Sequence, residues 1–110
     1  MLNWVPDETG DLSTHVHIDG IRCRLGFSSK LKILALCILD LVPDEAQYEQ
    51  MLQLNQPLSA RKINLSLEGK KVVLIQRDVT QTSDEVVHSL LEVAKRCVAM
   101  LIGEEIRTRQ

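Results

Sequence analysis

The chain has 110 residues, 45% apolar, 25% charged and only 3% aromatic, with a formal charge of −2. That length suits one domain whose core needs no covalent staples, and so few rings make it a core of Leu, Val and Ile. The near-neutral charge gives no basic footprint for nucleic acid, and there is no aromatic platform on which bases would stack.

The opening stretch MLNWVPDETGD has neither the basic nor the apolar region of a secretory signal, and residues 1–11 are expected to form a flexible lead-in. The first element follows at Leu12–Phe27, where Asp19-Gly20 sits between alternating residues. A two-residue type I′ turn needs positive φ at both central positions, which this pair supplies at little cost. With that loop, Ile18 faces Ile21, Val16 faces Cys23, Thr14 faces Leu25 and Leu12 faces Phe27, all on one side. The other side pairs His17 with Arg22 and His15 with Arg24. The two histidines stand ~6.5–7 Å apart, close enough to share a metal. An arginine opposite each disfavours a bound cation, and no carboxylate or further histidine completes a coordination sphere. The expectation is a solvated hairpin face with no metal.

In LKILALCILDLVP, nine of the eleven positions from Leu31 to Leu41 are apolar, and Pro43 closes the run. Periodicity cannot separate a buried helix from a strand covered on both faces. The preceding hairpin and the sharp stop favour a strand, with a helix kept open. The run is too short for a membrane span and carries Lys32 and Asp40.

A helix then starts at Asp44, with Gln47 placed to close a capping box, and it ends at Asn55 and Pro57. Tyr48, Met51 and Leu52 share one side of it. They read first as core packing and, more sharply, as a dimer interface. The second hairpin, ARKINLSLEGKKVVLIQRDV, has one strand with a wet face (Ile63, Leu65 and Leu67 alternating with polar residues) and a partner, Val72–Ile75, apolar on both faces and therefore more central. Its turn at Glu68-Gly69-Lys70 admits two or three residues, and the cluster Arg61, Lys62, Lys70 and Lys71 reads as charge that blunts a sheet edge. The last element is a helix over 83–102, with Thr82 as candidate N-cap, a broad apolar stripe from Val86 to Ile102, and Gly103 as its stop. His88 flanks that stripe as a surface residue.

The fold class expected is α+β: a twisted antiparallel sheet of about five strands with two packed helices, in the order β-β-β-α-β-β-α. No nucleophile elbow, phosphate loop, H-E-x-x-H or carboxylate pair in an apolar frame is present, so neither enzyme activity nor a cofactor is expected. Cys23, Cys37 and Cys97 form no C-x-x-C pair and read as reduced thiols of a cytoplasmic protein.

From Leu31 onward an apolar strand ends near a proline, an amphipathic helix closes on MLQLNQPL, a hairpin turns at Glu68-Gly69, and a capped helix completes the chain. This order resembles the type III secretion chaperone fold, shared with a family of small bacterial sensory-transduction regulators. The resemblance covers about 80 of the 110 residues, and it rests on apolar spacing rather than on reactive residues. It implies a cytoplasmic homodimer that holds an extended, largely disordered segment of a client protein, or else a regulatory or assembly subunit that binds a folded partner. The family usually begins with a helix that covers the first strands, and eleven residues before Leu12 cannot supply one. The apolar side of the first hairpin (Val16, Ile18, Ile21, Cys23 and Leu25) is therefore the expected partner-binding face.

Overall fold

Among the described residues, six antiparallel strands form one sheet, and three helices pack on it. The computed structural model describes residues 2–109. The strands are β1 (Val5–Pro6), β2 (Leu12–Ile18), β3 (Ile21–Ser28), β4 (Ile33–Ile38), β5 (Ile63–Glu68) and β6 (Lys71–Arg77); the helices are α1 (Glu45–Leu52), α2 (Asn55–Ser59) and α3 (Asp84–Arg109). Across the sheet the order is β1-β2-β3-β4-β6-β5. The α+β class with one antiparallel sheet stands. The count of about five strands and the order β-β-β-α-β-β-α are corrected to six strands, three helices and β-β-β-β-α-α-β-β-α.

The first hairpin has the register that its turn dictates. Ile18 pairs with Ile21, Val16 with Cys23, His15 with Arg24 and Leu12 with Phe27. Asp19 and Gly20 carry φ of 51° and 81°, the doubly positive pattern of a type I′ turn. The second hairpin closes on two residues, because Glu68 pairs with Lys71, and Gly69 alone takes a positive φ of 65°, as in a type II′ turn. The ambiguous run at Leu31–Leu41 is strand β4, paired with β3 on one side and β6 on the other. The wet strand β5 lies at the edge and the doubly apolar β6 lies inside it, since an edge strand keeps one side to water.

The extra strand comes from the lead-in. Val5 and Pro6 pair with Ser13 and Leu12. Between them the Asp7 carboxylate accepts from the Thr9 amide and hydroxyl and from the Asp11 amide, closing a side-chain-supported turn. Two residues ending in proline carry no strand periodicity, so no sequence signal marks this element.

The helix expected over Asp44–Asn55 is two helices. Asp44 and Gln47 form the capping box, the Asp44 Oδ1 accepting from the Gln47 amide at 2.7 Å and the Gln47 Oε1 from the Asp44 amide at 3.0 Å. Asn55, expected to end this helix, instead begins α2, with Pro57 inside that helix's first turn, where its missing N–H costs nothing. The last helix also differs from expectation. Ser83 rather than Thr82 caps it, its hydroxyl accepting from the Val86 amide. Gly103 does not stop it, because no left-handed residue or proline follows, and the helix runs on to Arg109, an overall length of ~39 Å.

One core forms between the helices and one side of the sheet. Leu25, Leu34, Leu36, Ile38, Leu74 and Val72 from the strands meet Met51, Leu58, Leu90, Val93, Ala94, Cys97 and Val98 from the helices, all buried. The long helix α3 crosses β2, β4 and β6, while α1 and α2 lean on β5.

Candidate interaction surface

Along an antiparallel strand, side chains alternate between the two sides of the sheet, so the pairing register sorts every strand residue onto one side or the other. The side away from the helices is laid out in rows. One row reads His15, Arg24, Cys37, Val73 and Ser66; the next reads Ser13, Gly26, Ala35, Ile75 and Asn64. Beyond the first lie His17 and Arg22, with Lys71 opposite Glu68, and beyond the second lie Ser28, Ile33 and Arg77. The middle of this side is thus apolar and built from the inner strands β4 and β6, while its borders are charged.

No helix among the described residues covers this side. Ile33, Ala35, Cys37 and Ile75 are half-buried, and none of them belongs to the core cluster. Val73 is only 5% exposed yet also stands outside that cluster. Leu31 and Val42, 67% and 49% exposed, continue the apolar line past the two ends of β4. Gly26 and Ala35 lower the centre of the sheet, leaving a shallow depression bordered by Asp7, Asp11, Ser13 and Ser28; a second one, around Cys37 and Leu39, is bordered by Arg24, Glu68, Lys70 and Lys71. A Cβ added at Gly26 would meet open space.

The residues singled out from sequence lie elsewhere. In the first hairpin Ile18, Cys23 and Leu25 are buried and Val16 and Ile21 half-buried, all against the core. That side was expected to stand open because no helix precedes it; α3 packs over it from the other end of the chain. The five side chains pack within or against the core, and the side of the sheet without a helix among the described residues is the opposite one. On α1, Met51 is fully buried in the core, Tyr48 is half-buried against it, and Leu52 alone of the three is exposed, at 37%. Of the three, Leu52 and part of Tyr48 are the side chains that reach the surface.

His15 and His17 stand exposed beside Arg24 and Arg22, and Arg22 pairs with Asp40 at 3.4 Å. Among the described residues no three His, Cys, Asp or Glu side chains converge as a metal would need. The three thiols differ in surroundings. Burial raises Cys97 to about 12 and Cys23 to about 11, whereas the half-buried Cys37 is raised by burial against the pull of Lys71. Among the described residues no helix is long and apolar enough to cross a membrane.

The two sheet edges are unequal. Asn55, from the start of α2, reaches across the outer side of β5: its Nδ2 donates to the Leu65 carbonyl at 3.0 Å and its Oδ1 accepts from the Leu65 amide at 2.6 Å. An amide side chain thus stands where another strand would pair. At the other edge β1 covers β2 only at Leu12 and Ser13. In a hairpin closed by a two-residue turn the residues next to the turn bond to each other, so the outward backbone groups of β2 beyond β1 are those of His15 and His17. Only the sequence count of apolar faces could have pointed to the open surface: β4 and β6 were both apolar on two sides, and the helices expected were too few to cover both. No family model, curated protein or solved structure matches this chain.

Proposed function

We propose that this protein is a non-enzymatic, chaperone-like binding module that buries an apolar segment of a client protein on the open side of its sheet. One observation carries the reading: the inner strands β4 and β6 are apolar on both sides, while the helices of the described residues cover one side only. Strands with two apolar sides belong in sheets covered on both. Each half-buried aliphatic left to water forgoes part of the ~25 cal/mol per Å² that burial would return. A partner that covers Ile33, Ala35, Cys37 and Ile75 recovers it. The resemblance to type III secretion chaperones points the same way.

A second mode of capture is favoured by the edge geometry. An extended client segment pairs with β2 at His15 and His17, the stretch beyond β1, whereas Asn55 closes β5 to the same addition.

The test replaces Ala35 with Glu, a charge set in the middle of the open side and away from the core. Tagged wild-type and Ala35→Glu proteins are purified from the source cells and their co-purifying proteins compared by quantitative mass spectrometry. The reading expects a partner that is retained by the wild type and lost from the variant, and whose binding protects Cys37 from alkylation. Identical partners on both proteins, with the variant folded by circular dichroism, would place recognition elsewhere and end this reading.

A further inference from the structure

The open side of the sheet selects its occupant by charge as well as by apolar contact. At strand positions on that side stand the cations Arg22, Arg24, Lys71 and Arg77 and the carboxylate Glu68. Asp7 and Asp11 line the depression at Gly26 and Ala35, so the cation excess lies around Cys37 and Leu39, where Arg24, Lys70 and Lys71 face Glu68. Asp40 engages Arg22. Among the described residues Arg24, Lys71 and Arg77 take part in no ion pair. This is a local excess in a chain whose net charge is −2.

The cations are also placed in columns. Arg22 and Arg24 lie on β3, Lys71 and Arg77 on β6, and the apolar line of β4 runs between them. From β3 to β6 is two strand spacings, ~9.6 Å. That is close to the ~10 Å width of an α-helix. The apolar line from Ile33 to Leu39 extends ~20 Å, which ~13 residues of helix would match. An extended chain lying on a sheet face has no partners for its backbone groups, while a helix satisfies its own.

We propose that the occupant is an acidic amphipathic helix of the client. It lies along β4 with its apolar stripe on Ile33, Ala35 and Ile75 and with carboxylates on both flanks reaching Arg24 and Lys71. This rests on the open side being the binding site, and it adds the chemistry of what binds there. Seated so, the helix makes the second outer layer of the sheet, as α3 makes the first.

The experiment is a selection from a displayed library of random peptides of about 16 residues, long enough for the helix just described, against the wild-type protein alone, with each winner then assayed for binding to Ala35→Glu. The expected winners are net acidic, carry apolar residues at i, i+3/i+4 and i+7, and do not bind Ala35→Glu. A synthesised winner should bind about tenfold more weakly to the folded double variant Arg24→Glu/Lys71→Glu, whose exposed positions spare the core, and also more weakly as salt is raised. Apolar winners that are neutral or basic, yet are still rejected by Ala35→Glu, would overturn the acidic helix and leave the binding site standing. Winners that bind Ala35→Glu equally well, or no enrichment at all, would overturn both.

Discussion

Replacing Asn55 with Ala tests how the edge of the sheet is closed. The side chain makes two hydrogen bonds to one residue of β5, at 3.0 Å to the Leu65 carbonyl and 2.6 Å from its amide. A hydrogen bond of this kind is worth ~1 kcal/mol net, and a polar group left dehydrated costs more than one that water can reach. Leu65 itself is 3% exposed, but its outward backbone groups lie at the sheet edge, where water enters once the amide is gone. The expected loss is therefore about 2 kcal/mol, or roughly 8–10 °C in Tm for a chain of this size. Asn55→Asp keeps the acceptor for the Leu65 amide but turns a second oxygen toward the carbonyl, and should cost about as much. Urea denaturation measures the loss, and hydrogen exchange at the Leu65 amide localises it. That amide should lose protection well beyond what the global change explains. The exposed edge should also make Asn55→Ala associate with rising concentration, visible by light scattering. A loss under about 0.5 kcal/mol with Leu65 still protected would refute the clamp, since surface substitutions free of such a role fall in that range.

Two further outcomes follow from buried groups. The Oε1 of Gln76 is buried without a hydrogen-bond partner, on the core side of β6. Gln76→Leu should raise stability by about 1 kcal/mol in the same urea assay, and a lower midpoint would mean that the amide is paired. Cys97 and Cys23 keep their protons when folded up to about 12 and about 11, against 9.0 for the free thiol. Above pH 9 the unfolded chain therefore binds fewer protons than the native one, so stability is full below that pH and falls as pH rises through the folded values. Cys97→Val should flatten this alkaline decline relative to wild type, and an unchanged slope between about pH 9 and pH 12 would contradict the thiol's role.

The surface proposed for binding had a trace in the sequence, though a faint one. The run Leu31–Leu41 was apolar at nine of eleven positions and Val72–Ile75 at all four, which said that both strands have two apolar sides. It did not say which side lacks a cover. The polar side of the first hairpin, legible from Asp19-Gly20 and the alternation around it, belongs to that same open surface, and its arginines are half of the cation columns. The five residues expected to receive a partner were correctly grouped on one side, but that side is the core.

What the sequence by itself determined is local: the register of the first hairpin, the capping box at Asp44, the one-sidedness of β5 and the apolar stripe of α3. Each follows from turn chemistry, from a side chain reaching its own helix end, or from a period of 2 or 3.6, all within a few residues. What only the tertiary structure decided depends on residues far apart in the chain. The packing of α3 brings a cover to a hairpin some seventy positions away in sequence. Asn55 finds Leu65 across a loop, and the two-residue strand β1 exists only because β2 is there to pair with it. Which side of β4 meets α3, and which is left without a helix among the described residues, follows from where the helices land, and no local period encodes that.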